Sequence, residues 1–127
     1  EAGGSTGGTV VPRSVATPDL IEEGIDAAVR AGAQALLVQP LFTLSNHSAG
    51  IVAGIVARRR LPAIGTYAPF ARSGGLMTYG PALEFARRRS AQIVAKILAG
   101  TEPGQIPVEQ PTEFHLTLNA RAAQLLG

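Results

Sequence analysis

Three short stretches, residues 39–48, 66–73 and 79–81, carry side chains able to hydrogen-bond or stack, among them Gln39, Thr43, Ser45, Asn46, His47, Ser48, Thr66, Tyr67 and Tyr79. These stretches hold no Asp or Glu, so neither a carboxylate pair for acid and base work nor an oxygen-rich metal site can be assembled within them. Ser45 and His47 could be imagined as a nucleophile and its base. No acidic residue nearby orients the imidazole, and capping or surface roles suit both better. The second histidine, His115, sits in a strand-like run where a paired or solvent-facing ring is expected. Gly74-Gly75 precedes an apolar run instead of following one, and no Lys-Ser/Thr pair accompanies it, which excludes a phosphate-cradling loop. Without cysteine there are no thiolate ligands, thiol nucleophiles or disulfides. Neither a metal nor a cofactor is expected.

The elements that must carry these residues follow from periodicity. Thr17-Pro18 suits a helix start, with Asp19, Glu22 and Glu23 at the positive end of the dipole; the pattern Leu20, Ile21, Ile25, Ala28, Val29 predicts a helix over residues 18–31 that ends at Gly32. "AQALLVQP" reads as a short buried strand ended by Pro40. Ile51, Val52, Ile55 and Val56 mark a second helix ending near "RRRLP", and "PAIGTY" and "GLMTY" give two further strands. A long helix over residues 82–99 carries the stripe Phe85, Ile93, Val94, Ile97 and Leu98. "EFHLTLN" alternates as a strand, and Asn119 is placed to cap a last helix. Val10-Val11 could begin a strand limited by Pro12.

Strand and helix alternate at short spacing, which predicts an α/β fold with a three-layer parallel sheet and right-handed crossovers. In such sheets ligands lie beyond the carboxyl ends of the strands. Gln39, Ser45, Asn46, Tyr67 and Tyr79 are therefore the candidate ligand contacts.

Composition sets the outer bounds. The 127 residues are 46% hydrophobic and 16% charged, as in a compact domain with a real core. The net charge of +2 reflects eleven Lys or Arg against nine Asp or Glu. Such a small excess, with 5% aromatics, is no nucleic-acid footprint. Arg58-Arg59-Arg60 and Arg87-Arg88-Arg89 read as solvated helix faces, with acidic groups on another domain or protein as the minor alternative.

"RLPAIGTYAPFARSGGLMTYGP" followed by "RRRSAQIVAKILAGTEPGQIPVEQPTEFHLTLNARAAQLLG" resembles the carboxyl-terminal portion of the ABC transporter substrate-binding proteins related to tryptophan- and tyrosine-binding proteins. The likeness spans residues 61–127 and, more loosely, 33–42. It implies a type I periplasmic binding fold, in which two α/β lobes joined by crossing segments close on a small solute, amino-acid-like or aromatic, and hand it to a membrane permease. No catalysis belongs to that role, and the setting it implies is periplasmic or exported.

The resemblance also implies a first lobe, and the opening strand and helix of the second, ahead of the point that matches Glu1. Residues 1–8 then form a flexible lead-in, 9–81 the carboxyl-terminal lobe, 82–111 a helix and crossing segment made for the first lobe, and 112–127 a return strand and helix. Lobe closure would turn on Gly80, Pro81, Gln110 and Pro111. The family commonly has Asp-Pro where this chain has Gln39-Pro40, so an ammonium-binding carboxylate is missing there. The apolar stripe of residues 82–99 would then either form a homodimer or fold back on its own sheet. Two other readings stay open: a stand-alone oligomerising α/β domain that binds no solute, and a flavodoxin-like enzyme.

Overall fold

The computed structural model describes residues 7–40 and 46–127. A 3-10 turn, Pro18–Leu20, leads into α1, Ile21–Arg30. Gly32 ends the helix with φ +85°, a left-handed conformation that glycine adopts without steric cost, while Ala33 N–H returns to the Ala28 carbonyl at 3.0 Å. Then come β1 (Leu36–Leu37), α2 (Asn46–Arg58), β2 (Ala63–Gly65), α3 (Ala68–Arg72), β3 (Met77–Pro81), α4 (Leu83–Leu98), a 3-10 turn (Pro103–Gln105), β4 (Phe114–Leu118) and α5 (Ala120–Leu126). The sheet has the order β1-β2-β3-β4; the first three strands are parallel, as expected, and β4 returns antiparallel to β3.

The register sorts the side chains onto two faces. Leu36 lies beside Ala63, Gly65 beside Thr78 and Thr78 beside Thr117, all on the face that meets the helices. There Ile21 and Ile25 of α1, Val52, Ile55 and Val56 of α2, and Phe70 of α3 form one buried cluster with Leu61 and Ala63, against which Leu36 and Val38 pack. Residues one step along each strand point the other way. Leu37, Tyr79, Phe114, Leu116 and Leu118 are exposed on that second face.

Three expectations change. Val10 and Val11 form no strand; they are 74% and 52% exposed. "APFAR" is a helix, too short for periodicity to reveal, and it inserts the fully buried Phe70 into the core. Arg58 and Arg59 are not merely solvated: Arg58 meets Glu22 at 2.8 Å, and Arg59 grips Asp26 through two bonds of 2.8 and 2.9 Å, clamping α2 to α1. The acids they meet belong to the same domain, and the Arg59 guanidinium holds the Asp26 carboxyl below the usual carboxylate range.

No residue of α4 is buried, so its stripe does not fold back on the sheet. Its anchor is Arg89, which bonds both carboxylate oxygens of Glu109 in the segment before β4. No helix among the described residues is long and apolar enough to cross a membrane.

Candidate functional site

The carboxyl end of β2 and the helix-facing residues of β3 and β4 open onto a groove of about 630 Å³. Its floor is Thr78 and Gly80 of β3 with their register partners Thr117 and His115 of β4. Thr66 and Tyr67, the residues that follow β2, form one wall, and Arg72 of α3 extends it. The first turns of α4, with Glu84 and Arg87, form the other.

Glycine is required at position 80. A Cβ there would lie 2.3 Å from the Thr66 carbonyl oxygen, so only a bare backbone lets β3 approach the end of β2 this closely. Pro81, which lacks the N–H a central strand needs, sits at the last position of the pairing. Gly80 and Pro81, which follow the run "GLMTY" read as the strand, are thus inside it, paired with His115 and Phe114. The ladder closes one step further, where Ala82 N–H bonds the Glu113 carbonyl at 3.2 Å. Gln110 and Pro111 are exposed in the irregular segment before β4.

Of the five candidate contacts, Tyr67 lines the groove. Gln39 is exposed just beyond β1 and outside the groove's lining. Asn46 is the first residue of α2, and Ser45 lies outside the described residues. Tyr79 points to the opposite face: it alternates with Thr78 and Gly80, is 57% exposed, and stacks on Phe114 with ring centroids 5.7 Å apart and planes 22° apart. The structure therefore separates the two tyrosines that the sequence placed together.

Sequence reasoning passed over Arg72, Glu84 and Arg87. Arg72 lay in an inspected stretch but was not offered as a contact. Arg87 was absorbed into a run of three arginines, and its signal was its place in the opening turns of the helix that leaves a strand's carboxyl end. His115 is paired, its Nε2 lying 3.0 Å from a Glu113 oxygen. Among the described residues Glu84 is the single acid lining the groove, and no group of three or more His, Asp or Glu could hold a metal ion. The arrangement can hydrogen-bond and attract charge.

The comparisons bear on the whole chain. The family model described as "ABC transporter substrate binding protein" matches residues 6–127. No protein of curated function matches. Among solved structures the chain is similar to a conserved domain protein from Vibrio cholerae O1 biovar El Tor, with 18% identity and a TM-score of 0.85, covering 98% of this chain and 42% of that one. It is also similar to an ABC domain in complex with L-Trp from Streptococcus pneumoniae, with 16% identity and a TM-score of 0.80, covering 97% of this chain and 42% of that one. A third is the ligand-free, open structure of a substrate binding protein with adhesive properties from Clostridium difficile, with 22% identity and a TM-score of 0.63, covering 98% and 42%. The chain thus spans less than half the length of the structures it matches. Those likenesses show a shared fold, and with a family match that runs across almost every residue, the chain belongs to the ABC transporter substrate-binding protein family.

Proposed function

We propose that this chain supplies one lobe of a solute-binding component of an ABC-type importer, and that the groove between β2, β3 and α4 is its half of the solute site. The observation that carries the reading is the groove's place at the carboxyl ends of parallel strands, where α/β sheets bind ligands. Its lining of hydroxyls, one aromatic ring and charged groups suits a small polar solute, amino-acid-like or aromatic. Tyr67 is the contact this reading favours first; Gln39, just beyond β1, would be reached by a larger solute, and Ser45 and Asn46 are proposed with it. Tyr79 would serve the opposite face.

The remaining parts of the reading are proposals of the same kind. A first lobe would close over the groove by bending at Gly80-Pro81 and Gln110-Pro111. The loaded protein would present the solute to a membrane permease from the periplasmic or exported side. Thermal-shift screening of the chain against amino acids and small aromatic acids tests the core of this: a raised Tm with one solute, lost in Tyr67→Ala, is expected. No stabilisation by any solute would overturn it.

A second reading, a domain that oligomerises, has its own observation: Phe85, Val94, Ile97 and Leu98 of α4 are exposed together. A homodimer through this helix would cover them.

A further inference from the structure

We propose that the groove takes its solute by a single carboxylate, held by Arg72 and Arg87, and prefers a monoanion to a neutral or zwitterionic molecule. This rests on the reading of the groove as the solute site.

Charge is the first argument. The ion pairs of the described residues engage Arg58, Arg59 and Arg89 with Glu22, Asp26 and Glu109. Arg72 and Arg87 line the groove, are exposed, and make no ion pair among the described residues. The one acid beside them, Glu84, is likewise in no such pair. Two guanidiniums against one carboxylate leave a single positive charge among the lining Arg and Glu side chains; the His115 ring, also in the lining, is engaged by Glu113, which is not. A groove with one surplus positive charge complements one negative charge, where a phosphate dianion would leave a surplus of its own.

Placement is the second. Arg72 ends α3 and Arg87 stands in the second turn of α4, so the two come from different elements bordering the same groove. Guanidinium is a planar fork that matches a carboxylate through two parallel bonds and is less strongly hydrated than an ammonium, so it gives up water readily to such a partner. The opening of α4 adds to this sign: Ala82 at its N-cap offers no side-chain acceptor, and the helix's free N–H groups carry partial positive charge. Tyr67, on the wall shared with Arg72, gives the solute's apolar body a ring to lie on.

The test is calorimetric titration of the chain with 3-phenylpropionate, 3-phenylpropanamide and phenylalanine, then with further small carboxylic acids and their amides, at fixed ionic strength. Carboxylates are expected to bind at least about tenfold more tightly than their amides and than the zwitterion of the same body. Arg72→Gln and Arg87→Gln should each remove about tenfold of that affinity, with Arg87→Lys recovering part of it. Circular dichroism of the variants should be unchanged, both side chains being exposed. Inorganic phosphate should compete more weakly than acetate once the ionic strength is matched. Amides binding as well as acids, or both glutamine variants binding like the parent, would overturn the carboxylate inference and leave the solute site standing. Failure of every solute, charged or neutral, would overturn both.

Discussion

Asn119 donates its side-chain amide to the Ala71 carbonyl at 2.7 Å, tying the start of α5 to the end of α3. The same side chain accepts from Ala122 N–H at 3.0 Å, capping α5. One residue thus satisfies a free donor of α5 and adds a bond to the Ala71 carbonyl, which also accepts from Gly74 N–H at 3.1 Å. Asn119→Ala is expected to destabilise the chain by about 1–2 kcal/mol, and Asn119→Asp, which keeps the cap and loses the donor, by less. Denaturant unfolding measures both; equal losses would mean that the cap on α5 contributes nothing, and no loss in Asn119→Asp that the bond to α3 contributes nothing.

A methyl group at position 80 has nowhere to go, since the Thr66 carbonyl occupies its place. Gly80→Ala should cost about 1–3 kcal/mol through displacement of β3 from β2. It should also weaken any solute that binds the groove. A variant that melts like the parent would show that the strands separate easily there.

Acid should loosen the clamp between α1 and α2. The Asp26 carboxyl is held low, chiefly by its hydrogen bonds to Arg59, so its folded-state value lies below its unfolded one. Its contribution is present above the ordinary carboxylate range and is lost as pH falls through the folded value. Asp26→Asn should therefore flatten the decline in Tm between about pH 5 and pH 2, while changing salt dependence little beyond the loss of one exposed pair. A parallel decline in both proteins would assign acid sensitivity elsewhere.

The exposed stripe of α4 predicts self-association. Sedimentation of the chain should show a concentration-dependent dimer, and Val94→Glu with Leu98→Glu should return it to monomer, both positions being more than half exposed. A monomer at all concentrations would remove the homodimer proposal.

Much of this molecule could be read from spacing alone. Helices α1, α2 and α4, the Asn119 cap and the parallel strands follow from repeats of 3.6 and 2 and from Gly and Pro at the ends. The Arg59–Asp26 pair, 33 residues apart, has no local signal, because it exists only once α2 lies on α1. The face that Tyr79 takes is hidden for a related reason: alternation shows that it opposes Thr78, while which of the two meets the helices depends on Phe70 and on β4. The groove's arginines went unnoticed as charges on helices; their meaning comes from the strand ends they border.

The stacking of Tyr79 on Phe114, away from Tyr67, also has an optical consequence. The chain has two tyrosines and no tryptophan, so its near-ultraviolet emission has two sources, one on each side of the sheet. Replacing Tyr79 by phenylalanine would leave a single emitter in the groove, turning the protein into its own fluorescent reporter of whatever settles there.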